Sequence, residues 1–194
     1  MRYRDKWPIY AKQWDTMVIN PNRVPEFKND ATFAIAHKAI YQRIEDRTGV
    51  EWYHIALLHR RESNADFNTY LGNGQSLAYK TTEVPAGRGP FTGPDAFYNG
   101  AIDALHLDKL DEVVPPWPIE KILFYCEEFN GEGYNNHGIP SPYVWGATNI
   151  QVAGKYVKDG VFDHSIMDTQ PGCAPLLWMI GQLDSSVVFK RETL

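Results

Sequence analysis

Cysteine is nearly missing from this 194-residue chain: Cys126 and Cys173 are too few for a disulfide framework and lack the CxxC spacing of a zinc ribbon or redox pair. Both are expected as buried free thiols, the common fate of an unpaired cysteine. There is no run of Lys or Arg, and a formal net charge of −5 is spread along the chain in both signs. The basic footprint of a nucleic-acid binder is absent, so no phosphate-backbone partner is expected. The same acidity is mild evidence against tight adsorption to an anionic surface. No apolar stretch reaches the ~20 residues that span a bilayer, and the opening MRYRDKWPIYAKQW has no apolar run long enough for a signal peptide. The expectation is a product made soluble in the cytoplasm, with no membrane insertion. HExxH is missing, and His37, His54, His59, His106, His137 and His164 show no paired spacing of zinc ligands. No internal repeat or low-complexity tract is visible.

What is present suits one buried core. At 43% hydrophobic, the chain is long enough for one domain over 1–194 and too short for two, with 1–28 expected as a peripheral segment. Aromatic residues make up 13%, a supply that can line a sugar cleft or fill a core. Helical periodicity predicts a first helix from about Asp30 to Asp46, with Phe33, Ala36, His37, Ile40, Tyr41 and Ile44 on one face and Gly49 ending it. A second begins near Val50 to Trp52, carries Ile55, Leu58 and His59 inward, and finishes around Arg61 to Asn64. From Asn68 to Arg88 the periodicity is lost and Gly and Asn turn signals predict loop with at most a small hairpin. Helices are expected again at Asp95 to Leu107, after Trp117 with Pro118 at the first helical position and a stop at Asn130 and Gly131, and from Pro175 to Leu183. The stretch SPYVWGATNIQVAGKYVKDG suits one or two short helices broken by Gly146 and Gly154. The fold class is thus mostly α, with a small irregular or β insertion after the second helix.

Glu62 is the carboxylate that attracts a chemical reading. It falls on the stripe of Ile55, Leu58 and His59 rather than on the solvent face. A Glu projecting from the end of a buried helix loses hydration, which favours its neutral form and raises its pKa from ~4.3 toward the ~6 of a useful general acid. Cleavage of a glycosidic bond requires such a donor to the leaving oxygen. The plain alternative is a carboxylate paired with Arg60 or Arg61.

The run HRRESNADF, His59 to Phe67, resembles the Glu-Ser element of goose-type lysozymes and soluble lytic transglycosylases, in which a helix ends at the catalytic Glu and Ser follows. The wider stretch WYHIALLHRRESNADFNTYLGNGQSL, with TTEVPAGRGP after it, is similar to phage and prophage lysozyme-type proteins. CEEFNGEGYNNHGIPSPYVWGATN resembles the segment that in those proteins faces the Glu across a cleft. The resemblance runs from about Tyr10 to Leu183 and implies a lysozyme-like fold, with peptidoglycan glycan strands as substrate, Glu62 as catalytic acid and Ser63 beside the substrate. Phe129, Asn130 and Gly131 stand where the transglycosylases carry Ala-Tyr-Asn. Phe129 in place of that Tyr, and the lack of a Gly-Leu-Met-Gln element after Glu62, weaken the transglycosylase assignment more than the lysozyme fold.

A second carboxylate decides between mechanisms, because an inverting hydrolase needs a base holding water ~6.5–9.5 Å from the acid. Glu83, in the irregular insertion, is the candidate, in the region where goose-type lysozymes and plant-type chitinases place the water-positioning residue. If no carboxylate faces Glu62, the sugar's own hydroxyl or N-acetyl group supplies the nucleophile and leaves an anhydro product. For substrate contact, Phe129, Asn130, Tyr134, Tyr143 and Trp145 are the candidates, the two tyrosines because a Gly- and Pro-rich loop after a helix commonly displays binding groups. Trp145 is as readily core as cleft, and Asn130 before Gly131 is also an ordinary helix end.

Proton donation and positioned water call for no metal or organic cofactor. A cell-wall amidase or peptidase is the main rival enzyme. Against it, Cys126 lies inside an amphipathic helix rather than at its start, where the dipole would lower its pKa. A catalytically silent glycan-binding virion protein is the rival from another class, since a retained Glu does not prove turnover. The reading is of an endolysin-like monomer held in the host bacterial cytoplasm until its release to the periplasm or wall.

Overall fold

A computed structural model describes residues 2–158 and 160–193. Its helices are α1 (Tyr3–Thr16), α2 (Val24–Ala36), α3 (Lys38–Thr48), α4 (Trp52–Ser63), α5 (Ala96–Leu107), α6 (Ile119–Asn130), α7 (Gly133–Asn136), α8 (Pro142–Trp145) and α9 (Cys173–Leu183). A single antiparallel pair, β1 (Lys155–Lys158) and β2 (Val161–Asp163), is the sheet among the described residues. The molecule is mostly α. Contacts divide the chain into two compact units, Met1–Thr32 with Trp117–Leu194, and Phe33–Pro116.

In the first unit α1 packs along α6, α6 meets α8 and α9, and α8 meets α9. Ile122, Leu123, Val144, Leu177 and Ile180 are fully buried there, and both Cys126 and Cys173 are buried free thiols. The N-terminal segment forms α1, which turns Tyr10 and Lys6 inward, at 2% and 5% exposure, and leaves its other residues exposed or half-buried. After Gly146 the chain does not continue as helix. Lys155–Lys158 pairs with Val161–Asp163, so the β element lies here rather than in the insertion after α4.

In the second unit α3 packs on both α4 and α5. The single helix expected from Asp30 to Asp46 is two, broken at His37, whose backbone leaves the helical region (φ −104°, ψ 13°). Gly49 ends α3 in the left-handed region at φ +72°, its N–H donating to the Glu45 carbonyl at 2.7 Å. Eight consecutive residues of α4, Trp52 to His59, are buried. At ~1.5–3 kcal/mol per large apolar side chain, Ile55, Leu57 and Leu58 alone fix this helix firmly. The segment between α4 and α5 is irregular as expected, with one isolated bridge between Thr69 and Ser76, and is pinned by buried Tyr70, Leu71 and Leu77.

Candidate functional site

Glu62 is the penultimate residue of α4 and is half-buried. Ile55, Leu58 and His59, on the same stripe, are fully buried. The helix ends in two successive left-handed residues, Asn64 (φ 57°) and Ala65 (φ 60°). Their N–H groups donate to the carbonyls of Arg60 and His59 at 3.1 and 3.0 Å, so the backbone bearing Glu62 is tied off at once. The Ser63 hydroxyl donates back to the His59 carbonyl at 3.3 Å. Asp66 forms the following turn, its carboxylate accepting from the Asn68 backbone N–H at 2.9 Å. Those bonds hold its pKa below the usual range and assign it to the turn.

The loop after that turn folds back onto the end of α4. Gly74, at φ +70°, sits against the Glu62 carbonyl, where a β-carbon would stand 2.5 Å from the oxygen. Its neighbours hold the Glu83 segment. Asn73 Nδ2 donates to the Glu83 carbonyl at 3.1 Å, while Gln75 Oε1 accepts from the N–H groups of Thr82 and Glu83 at 2.7 and 3.1 Å. Gln75 Nε2 closes the clamp on Thr82 Oγ1 at 3.0 Å. The Glu83 backbone is thus fixed relative to the turn that touches Glu62, with the Glu83 side chain exposed. Further along, Arg88 Nε and Tyr70 Oη each donate to Asp103 Oδ2 at 2.8 Å, bracing the same loop against α5. Sequence reasoning missed Gly74, Gln75 and Asn73 as site-building residues. The available signal was the Asn-Gly pair within GNGQ, which marks a tight turn.

His59, one turn before Glu62, is a structural residue. It is fully buried, with its Nδ1 2.9 Å from the Tyr41 hydroxyl and its ring among Tyr41, Phe67 and Phe97 at centroid distances of 5.9, 4.8 and 4.4 Å. Burial lowers its pKa to about 4, so it is neutral at physiological pH. His54, also fully buried, is lowered to about 3 by the same cause.

The remaining sequence candidates belong to the first unit. Phe129 is half-buried and Asn130, the last residue of α6, is exposed before Gly131. The Gly- and Pro-rich segment expected to display Tyr134 and Tyr143 instead folds into α7 and α8. It leaves Tyr134, Tyr143 and Trp145 only 6%, 2% and 1% exposed. Tyr134 packs edge-on to Tyr156 and Phe162, and Trp145 lies nearly parallel to Tyr10 at 6.3 Å. These rings pack the interior of their unit.

A concavity of about 390 Å³ in the second unit is lined by Phe67, Asn68, Ser76, Leu77, Phe91 and Thr92 among others, and neither Glu62 nor Glu83 lines it. Among the described residues no three His, Cys, Asp or Glu side chains cluster as metal ligands would, and no helix is long and apolar enough to cross a membrane. What the second unit offers chemically is a half-buried carboxylate at a helix end closed by the Asn64 and Ala65 hydrogen bonds, beside a loop held by side-chain amides. No family model matches the chain, and neither a curated protein nor a solved structure matches it.

Proposed function

We propose that this chain cuts the glycan strands of bacterial peptidoglycan on a lysozyme-like scaffold, with Glu62 donating a proton to the leaving glycosidic oxygen. The observation that carries the reading is the position of Glu62: half-buried near the end of a helix whose first eight residues, Trp52 to His59, are buried, beside the Gly74 turn. A proton donor works best where a fixed backbone holds it in place against the bond it serves. Glu83 has the complementary part. Exposed, on a segment clamped by Asn73 and Gln75, it takes the part of the base that holds the attacking water, as an inverting hydrolase requires. Phe129, standing where the transglycosylases carry a tyrosine, points the same way. The reaction needs no cofactor, and an endolysin-like agent would act on the wall after release from the host cytoplasm.

Clearing of purified peptidoglycan in a gel tests the proposal, with Glu62→Gln as the matched control. Clearing by the natural protein and none by the variant supports it. Absence of clearing by the natural protein favours a glycan binder without turnover, and release of free peptides in place of sugars would mark an amidase. Mass analysis of the released sugars separates a hydrolase, which leaves a reducing end, from a transglycosylase, which leaves an anhydro ring.

A further inference from the structure

A second concavity, of about 250 Å³, lies wholly within the first unit, between α1 and the segment that follows α6. Lys6, Tyr10, Glu127 and Trp145 line it, all 5% exposed or less. Ile9, 56% exposed, and exposed Gly138 also line it and give it an edge to solvent. Its polar groups are incompletely used. Glu127 Oε2 accepts from the Tyr10 hydroxyl and stands 3.8 Å from Lys6 Nζ. Glu127 Oε1, Lys6 Nζ and Asn135 Nδ2 are buried with no hydrogen-bond partner among the described residues. A buried carboxylate oxygen and two buried donors left unmatched in one place are costly unless something completes them.

We propose that this pocket binds one neutral sugar ring, through hydroxyls that donate to Glu127 Oε1 and accept from Lys6 Nζ and Asn135 Nδ2. The charge arrangement selects the ligand. The ammonium and the carboxylate lie 3.8 Å apart, so a charged group brought to one meets its like almost as closely as its opposite. A hydroxyl donates and accepts at once and suits both neighbours. Ile139 and Pro140 add an apolar wall for the C–H face of a ring. The volume falls short of the ~300–1,000 Å³ of drug-sized pockets, which limits the occupant to a single ring. The inference stands on the first unit alone and does not draw on Glu62.

Titration of the isotope-labelled protein with N-acetylglucosamine, followed by nuclear magnetic resonance, tests it. The expected result is a saturable shift of the Asn135 side-chain amide and the Trp145 indole N–H, with Kd in the low millimolar range. Asn135→Ala removes a donor that holds no other group, so it should keep the melting temperature and weaken binding by about tenfold, the factor expected for one hydrogen bond. Sodium acetate and ammonium chloride, the charged probes, should leave these resonances unmoved. The proposal is overturned if the sugar produces no saturable shift, if Asn135→Ala binds as tightly as the natural protein, or if a charged probe reproduces the shifts. Because the readout involves no bond cleavage, an inactive but sugar-binding protein would sink the catalytic reading and leave this one standing.

Discussion

Gly74 abuts the carbonyl oxygen of Glu62: a β-carbon on Gly74 would lie 2.5 Å from it, and the backbone there is left-handed at φ +70°. Two penalties therefore meet in Gly74→Ala, the ~1–2 kcal/mol of a left-handed alanine and a steric overlap with main chain that cannot rotate away. Gly87→Ala is the control, since Gly87 has a similar φ of +78° and open space around its β-position. Gly74→Ala should lower stability by at least ~2 kcal/mol and reduce glycan cleavage, while Gly87→Ala should show the strain alone with activity kept. Thermal melts and clearing rates on the pair check this, and equal behaviour of the two variants would contradict it.

Gln75 holds Thr82 and Glu83 by three hydrogen bonds. Replacing it with Ala should release that segment at a cost of ~1–3 kcal/mol, because each neutral bond contributes ~0.5–1.5 kcal/mol and a freed exposed loop is rehydrated. Hydrogen exchange of the Thr82 and Glu83 amides should speed up markedly while the α4 amides stay protected. Unchanged exchange at Thr82 and Glu83 would show that the clamp is not what orders the loop.

How far the sequence specified the structure can be judged from particular residues. The α4 stripe was legible because Ile55, Leu58 and His59 repeat at helical spacing before a polar turn, and all three are buried. Gly49 and Gly131 mark the ends of α3 and α6 as their residue type suggests. The break at His37 was not legible, since no Gly or Pro marks it, and three of the stripe residues expected inside, Phe33, Ala36 and Ile40, are exposed. Helix α1 was missed because Pro8 lies inside it and its buried positions include Lys6, whose place depends on Glu127 far along the chain. Tyr134 and Tyr143 looked displayable because Gly and Pro surround them, but tertiary packing turned their rings inward, and Trp145, as readily core as cleft by sequence, is buried too. In the second unit, the place of Glu62 at the end of α4 was legible from the stripe, whereas the loop contacts of Gly74, Asn73 and Gln75 depend on a closure that no periodicity encodes.

Acid should weaken the protein through its two buried imidazoles. Burial lowers the folded pKa of His59 to about 4 from the ordinary 6.5, and that of His54 to about 3. Each thus contributes stability that is complete above about pH 6.5 and lost as pH falls toward the folded value, roughly 3 kcal/mol for His59 if fully expressed. Ring-nitrogen titration should find both neutral at pH 5, whereas exposed His106, raised by its hydrogen bond to Asp111, protonates first. Protonation of His59 near pH 6.5 in the folded protein would contradict this account.

Asp103 braces the loop by accepting from Arg88 and Tyr70. Burial pushes its pKa up, but the bonds from Arg88 and Tyr70 outweigh that and leave it below the ordinary carboxylate range. The stability it supplies is therefore present above the unfolded pKa and lost as pH falls through the folded one. Asp103→Asn should cost ~1–2 kcal/mol at neutral pH, toward the low end for charged hydrogen bonds because Arg88 is partly exposed. Urea unfolding at pH 7 and pH 3 should show the difference between variant and natural protein shrinking in acid, and a gap that widened would contradict the assignment.

The central claim is tested most directly by counting new reducing ends released from purified peptidoglycan by the natural protein and by Glu62→Gln at matched melting temperature. The account predicts steady release by the natural protein and a fall of about 100-fold or more in the variant, the lower range for loss of a general acid. A Glu62→Gln protein that releases sugar at the natural rate would contradict it.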